Sequence, residues 1–372
     1  MGELKLESKY IDKIPKINIQ FDKNAVDDLN GVVNSWGSYN PVVMINDYIP
    51  EGSVVVDLNI SIGINKLPSF NITLNDDDFK IRNILKKQNI DTIVIAIGTS
   101  NWLLKFYGII HNSPAEVNND EIYLYGNIYN DKWYNTEQKG YKDKTVYDVI
   151  EELCKKTDSG LYLFSNSFLD IKQPYLTNPN TKLLSYFTFL IQNYSDCLWC
   201  YDNNGIMYIG NLEDIRKSDV DKFKIYEDIV LDDEKPIVIS NYMEDISKND
   251  KDKFGISGFT VTSNYGIKHL LSKDKYRYNY FDDMNNKVSK PNHLPITNIY
   301  DKQVTLLMNQ NIFEINPFSI VDLELYIQKK QFQSHILDEE LSGKKVVIEI
   351  EYIYNLNEDD SKSRIQQKLT LI

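Results

Sequence analysis

The residues with the most evident chemical potential are Cys197-Leu-Trp-Cys200, which carry the C-x-x-C spacing of redox dithiols and of half a zinc site. Their surroundings point away from both. Zinc would need a second ligand pair, and Cys154 is the only other cysteine in the chain. In an extended strand, residues three apart face opposite ways, so the two thiols would not share a metal. A thioredoxin-like pair opens a helix after a strand, whereas this one follows a helical pattern and enters strand-like sequence. Asp202-Asn-Asn-Gly205 then supplies turn chemistry, and Ile206–Ile209 reads as the returning strand. The stretch is expected to be a hairpin with small, buried cysteine side chains.

Other reactive groups are equally unassembled. The four histidines, His111, His269, His293 and His335, show neither H-x-x-x-H nor H-E-x-x-H spacing. His111 ends an apolar strand, where packing or hydrogen bonding is its expected role. Asp76-Asp-Asp78 lacks the glycine and distal glutamate of a calcium loop and reads as a strand-end loop. No G-x-S-x-G, Walker or G-x-G-x-x-G motif occurs. With 54 acidic residues, close carboxylate pairs are inevitable and carry no glycosidase signal. The sequence therefore names no catalytic, cofactor-binding or metal-binding residue, and no cofactor is expected.

What would have to position any site is a long chain. Its 372 residues suit two or three domains and bury a core without disulfide staples. Three cysteines, an odd count, argue against a secreted disulfide framework. The N-terminus lacks a signal peptide's apolar core, and Leu6 stands where a myristoylation motif needs Ser or Thr. No window approaches the ~20 apolar residues that span a bilayer. A soluble chain from a reducing compartment, with no membrane partner, is expected. The formal charge of −13 disfavours phosphate backbones and anionic membranes. The densest basic and aromatic stretch, Lys268–Tyr280, reads as a solvated loop or subunit contact. Twenty-six tyrosines and 15 phenylalanines suit strands and interfaces.

Residues 1–49 show no sustained period and read as an arm or peripheral layer. From Val54 to Ile64 the apolar residues alternate with Asp57, Asn59 and Ser61, the signature of a strand with one buried face. Phe70–Asn75, Thr92–Ile97, Leu103–His111 and Glu121–Tyr129 follow, with turns spaced as in a small barrel or sandwich, so 50–140 is assigned to a first β-barrel domain. In 141–212 the period changes. Thr145-Val-Tyr-Asp148 is a capping-box variant, followed by Val146, Val149, Ile150, Leu153 and Cys154 at helical spacing. A second helix is expected from about Thr181, carrying Leu183, Leu184, Phe187, Leu190 and Ile191. Residues 213–235 read as a charged linker. Strand patterns return in 236–372, including Val321–Ile327, Val346–Tyr354 and Ile365–Leu371, around a long polar loop near 263–299.

Four phrases in this order resemble a known family. They are Thr92-Ile-Val-Ile-Ala-Ile-Gly98 with Phe106-Tyr-Gly-Ile-Ile-His111, then Thr145–Leu153, then Phe187–Tyr194 running into the Cys197–Gly210 hairpin, and finally Leu341–Tyr352. The likeness is to the central baseplate hub of contractile phage tails, with the late-control D tail proteins and the N-terminal part of type VI secretion spikes. It covers about residues 54–212 and 317–372, leaving the first 45 residues, the 213–235 stretch and the long loop without counterparts. The resemblance implies a mainly β fold with a small α/β insert, its two antiparallel β-barrel domains in the tail-hub arrangement. It further implies a non-enzymatic homotrimer that presents six barrels to a six-fold tail tube and a three-fold spike. The implied partners are the tube or tube-initiator protein, a separate central spike chain, surrounding baseplate proteins, and passing DNA bound without sequence specificity. The implied location is the virion tail, assembled in the host cytoplasm. Since Ile372 directly follows the closing strands, a fused lysozyme or spike β-helix is not expected.

Two other classes remain open at this stage. A surface carbohydrate-binding module would use exposed tyrosines and Trp102, Trp133 or Trp199 as sugar platforms, and a carbohydrate hydrolase would use a carboxylate pair.

Overall fold

The computed structural model describes residues 40–51, 54–85, 90–99, 102–111, 115–118, 120–128, 131–136, 140–164, 172–176, 181–195, 197–203, 205–218, 222–227, 229–231, 236–238, 253–263, 302–308, 311–327, 336–339, 341–356 and 365–372. Most of the expected arm, and the long loop beyond Ser263, lie outside that set.

The described chain is mainly antiparallel β-structure with a few short helices. Its first third holds β1 (Val42–Ile45), β2 (Val55–Gly63), β3 (Ser69–Asn75), helix α1 (Lys80–Leu85), β4 (Thr92–Thr99), β5 (Trp102–Ile110), β6 (Ala115–Asn118) and β7 (Glu121–Ile128). A middle segment follows with β8 (Tyr141–Thr145), α2 (Val146–Lys156), β9 (Gly160–Leu163), β10 (Lys172–Leu176), α3 (Leu183–Tyr194), β11 (Leu198–Tyr201), β12 (Ile206–Gly210) and α4 (Leu212–Lys217). The remainder comprises β13 (Lys222–Glu227), β14 (Ile229–Leu231), β15 (Pro236–Val238), β16 (Lys253–Ser263), β17 (Lys302–Met308), β18 (Ile320–Glu324), β19 (Tyr326–Ile327), β20 (Ile336–Leu337), β21 (Gly343–Asn355) and β22 (Gln366–Leu371).

Thirteen of these strands make one sheet, ordered β1-β4-β5-β7-β3-β2-β21-β18-β13-β16-β17-β22, with β6 on β7. Its joint is β21. The first residues of β21, Gly343–Val346, pair with β18, and Glu349–Asn355 pair with β2. The opposite edge of β21 pairs with β22 over Val347–Ile353. Successive pairing through β18, β13, β16, β17 and β22 therefore returns to β21. Among the described residues no pairing returns β1 to β2, so the first third is an open run. The division between the two expected β-domains is thus not a break in the sheet. Thirteen residues of period-two sequence make β21 long enough to serve one neighbour at each end.

One apolar core runs through both ends of this sheet, from Ile60, Ile72 and Ile95 to Tyr352, Tyr354 and Leu369. Phe70 sits near its centre, fully buried, because two glycines make room for its ring. A Cβ on Gly108 would meet the ring at 2.8 Å, and so would one on Gly126, which would also collide with the Ile109 carbonyl oxygen. The Phe106-x-Gly108 phrase thus has a steric origin. Buried Gln367 fastens a connecting loop to the same core: its amide Nε2 donates to the Ile312 carbonyl at 2.9 Å, and its Oε1 accepts from the Ile312 N–H at 2.7 Å. The side chain gives the Ile312 N–H, which lies outside any strand, its acceptor.

Helix α2 begins where the sequence places it. The Thr145 Oγ1 accepts from the Asp148 N–H, and the Asp148 carboxylate accepts from the Thr145 N–H, each at 3.0 Å. That backbone bond, chiefly, holds the Asp148 carboxyl below the usual range. A group with a depressed folded-state pKa contributes stability above its unfolded pKa and loses it as pH falls through the folded value. Urea titrations should therefore find Asp148→Asn less stable than wild type near pH 7, with the gap closing below about pH 4. Thr145→Ala should cost about 0.5–2 kcal/mol at neutral pH. Helix α3 starts beside Thr181, as expected; its N-cap is Lys182, which makes no side-chain capping bond, and Thr181 Oγ1 donates to the Lys182 carbonyl.

Candidate functional site

The C-x-x-C stretch forms the expected hairpin, β11 pairing antiparallel with β12. Strand β11 lies between two cores. Cys197, Trp199 and Tyr201 join the main one, whereas Leu198 and Cys200 face a smaller one with Phe318, Val346 and Ile348. The two thiols thus point to opposite sides, and no short approach is available to a shared metal. Burial drives the Cys154 and Cys200 thiols far above their usual pKa, so neither is a nucleophile at neutral pH. Trp133 and Trp199 are fully buried against Phe187, at ring distances of 5.2 and 5.6 Å. They are core residues, and their proposed use as sugar platforms is withdrawn; the side chain of Trp102 lies outside the described ones.

Asp76 also serves structure. Its carboxylate, 2% exposed as a residue, accepts from the backbone N–H groups of Ile81 and Arg82 at 2.9 and 3.1 Å and so caps α1. Buried Arg82 places Nε 3.5 Å from Asp76 Oδ2 and donates through Nη2 to the Glu121 carbonyl at 3.2 Å. This ties the helix to β7. Asp78 turns outward and pairs with Lys80. Among the described residues, no three His, Cys, Asp or Glu side chains converge as metal ligands. His111 is exposed at the end of β5, its ring edge-on to Tyr134 at 5.8 Å, while His269, His293 and His335 lie outside the described residues.

A cluster that sequence reasoning missed joins β2 to β21: Lys66 Nζ donates to Ser61 Oγ at 2.8 Å and is ion-paired with Glu349, which also accepts from Ser61 Oγ at 2.8 Å. A serine–lysine hydrolase requires a neutral amine to take the hydroxyl proton. Here the amine donates to the serine and pairs with a carboxylate, the reverse arrangement. The cluster is a cross-strand tie.

A further organised surface is the outward face of the main sheet. Cross-strand register sets side chains in rows. One row runs Gln366, Ile353, Asn59, Asn71, Tyr125. The next runs Lys368, Glu351, Ser61, Ser69, Asn127, and Lys368 bonds Glu351 at 2.8 Å, leaving no net charge. On the other side lie Asn355, Asp57, Thr73 and Tyr123. Tyr123 donates to Asn71 Oδ1 at 3.0 Å, and its ring lies 6.3 Å from that of Tyr125, itself an exposed aromatic. Strands β2, β3 and β7 contain no lysine or arginine at all. Partial burial raises the Asp57 carboxyl pKa. Amides, hydroxyls and phenols predominate on the face, with Asp57 and the Lys368–Glu351 and Lys66–Glu349 pairs among them.

The middle segment is fixed to the end of the sheet beside this face. Asn65 donates its N–H to the Trp199 carbonyl at 2.7 Å just beyond β2, and Phe164 packs edge-on to Phe318 at 5.7 Å. Phe318 adopts φ 75°, a strained conformation for an aromatic residue, and is held there by burial and its N–H bond to Val347 at 2.8 Å. No helix among the described residues is long and apolar enough to cross a membrane.

No protein-family model matches the chain, and no curated protein matches it in sequence. Solved structures do match. The c3393 protein of E. coli, a type VI secretion component with structural similarity to the T4 bacteriophage tail proteins gp27 and gp5, superposes with a TM-score of 0.52 at 8% identity, covering 89% of this chain and 76% of its own. The 43 kDa tail protein of prophage MuSo2 from Shewanella oneidensis gives 0.51 at 9% identity, covering 90% and 97%. A tail protein from Neisseria meningitidis MC58 gives 0.50 at 11% identity, covering 90% and 96%. At this level of identity the match is one of fold: the chain has the fold shared by these phage tail and type VI secretion proteins.

Proposed function

We propose that the chain is a structural, non-enzymatic hub of a phage-type tail baseplate, acting in the virion after assembly in the host cytoplasm. The observation that carries this reading is the likeness to tail proteins over about nine-tenths of the chain. In this reading three copies associate. Each contributes two barrel-like units, the open run of the first third and the strand circuit of the last, so the trimer offers six units to a six-fold tube and three-fold symmetry to the spike. The tube or tube-initiator protein, a separate spike chain and neighbouring baseplate proteins are its partners. DNA passes through the ring without sequence-specific contact. The buried thiols, buried tryptophans and structural carboxylates support a scaffold over an enzyme or a lectin.

Sedimentation equilibrium or native mass spectrometry of the full chain tests the reading. A stable species at three times the chain mass, alone or with the tube protein, is expected. A chain that stays monomeric with its tail partners present, or that turns over cell-wall polymer, overturns it.

A further inference from the structure

Six large apolar side chains are exposed among the described residues, and the two most exposed, Ile90 at 54% and Phe79 at 46%, bracket helix α1. Single exposed hydrophobes are ordinary on a folded chain, whereas two around one short helix call for a cover. Both stand at the end of the sheet where β1, β3 and β5 finish and β2, β4 and β7 begin. The loops there are tied together: Asn46 Nδ2 donates to Asp91 Oδ1 at 2.6 Å, and the Asp76 N–H donates to the Asp120 carbonyl at 2.6 Å. Phe79 is held rigidly. Its N–H donates to the Asp76 carbonyl at 2.9 Å, its φ is 58°, and the Arg82 guanidinium carbon lies 4.9 Å from its ring centroid. Arg82 is itself fixed by Asp76 and by the Glu121 carbonyl. A ring on a left-handed backbone, turned toward water, costs the isolated chain stability.

We propose that this end of the sheet docks another protein, which receives Phe79 in an apolar pocket rimmed by lysine or arginine. The charge of the surroundings selects that occupant. The loops 46–54, 76–91 and 111–120 carry eight Asp or Glu against four Lys or Arg. Among the described side chains there, Asp47, Glu51, Asp77, Asp78 and Asp120 are exposed, and Lys80 is the exposed cation, already paired with Asp78. The turns 64–68 and 100–101 at the opposite end carry Lys66 as their single charge. An acidic rim repels nucleic acid and anionic lipid and attracts a basic protein face. An aromatic anchor that enters a dry pocket within a polar rim is the anatomy of a binding hot spot. Because the ring is fixed before contact, little freedom is lost on docking. Such docking does not require that the chain be a hub, and it assigns contact residues that the hub reading leaves open.

The test places the photo-reactive analogue benzoylphenylalanine at position 79 of the full chain, with the same analogue at position 213, where Glu213 is exposed on α4, as the control. Irradiation of producing cells should attach position 79 to one other protein, at an apolar segment flanked by lysines or arginines. Position 213 should not give that adduct. Titration of the purified pair then reads the contact directly. Phe79→Ala should weaken binding about 30-fold, the loss of one hot-spot side chain. Asp47→Asn, Asp77→Asn and Asp120→Asn together should weaken it at low salt and flatten its salt dependence. Phe79→Gly should lose as much binding as Phe79→Ala yet unfold at the same or a higher urea concentration, because glycine accepts the backbone angle. That combination separates a lost contact from a lost fold. An adduct with DNA, with a second copy of this chain or with an acidic segment overturns the proposal. So does the absence of any adduct, the same adduct from position 213, or an unchanged affinity of Phe79→Ala. The adduct is read in cells whatever the chain assembles into, so its failure is distinct from failure of the hub reading, which the mass of the species in solution reports.

Discussion

Replacing Gly126 with alanine should cost the β-sheet about 3 kcal/mol or more of its stability. The added Cβ would stand well inside contact with the Ile109 carbonyl oxygen and 2.8 Å from two atoms of the Phe70 ring. A side chain can rotate away, but the carbonyl belongs to β5 and is fixed by the ladder between β5 and β7. Overpacking a core ordinarily costs about 1–3 kcal/mol. A clash that moves backbone belongs at or above the top of that range, against total stabilities of about 5–15 kcal/mol. Gly108→Ala provides the contrast. Its Cβ would meet the Phe70 ring at 2.8 Å, with the Asn127 carbonyl and Ile93 Cγ2 each at 3.2 Å. Denaturant titrations should therefore show that Phe70→Leu rescues much of the Gly108→Ala loss and little of the Gly126→Ala loss. Equal rescue of both would show that the ring, not the carbonyl, sets the limit.

The second large effect is expected at Asp76. Removing this carboxylate in Asp76→Ala takes away the cap on α1 and the anion facing the buried Arg82 guanidinium in a single change. Truncating one partner of a buried ion pair typically costs about 3–5 kcal/mol, because the remaining charge keeps its desolvation penalty. Asp76→Asn should cost less, since one amide oxygen can still accept from a helix N–H. Arg82→Met in the Asp76→Ala background should recover stability, because no buried charge is then left behind. Chemical unfolding of the three variants checks the order, and a double variant weaker than Asp76→Ala would refute the ion-pair account.

Much of the fold was legible because its causes are local. Period-two runs mark β2, β3 and β21, and a reciprocal Thr145–Asp148 pair marks the start of α2. Likewise, an Asn-Gly turn after Cys200 identifies a hairpin rather than a metal site. What was hidden depends on distance or on crowding. Phe223 and Ile225 alternate properly in β13, but they sit in a run of lysines and aspartates that reads as a linker. The second role of β21 requires knowing that β2 lies beside its far end, nearly 300 positions earlier in the chain. Trp133 and Trp199 look like binding platforms until burial is known. The polar face was invisible for the same reason. Asn59, Asn71 and Asn127 are unremarkable singly, and only the register between β2, β3 and β7 sets them side by side.

The shared strand also has a mechanical consequence. Because β21 is bonded to β18 near its start, to β2 near its end and to β22 along its other edge, a pull that separates the two ends of the molecule acts along the strand. Hydrogen bonds loaded in that direction must yield together in shear rather than peel open in turn. A flexible tether between two globules would stretch under load, whereas this continuous rib passes the force on.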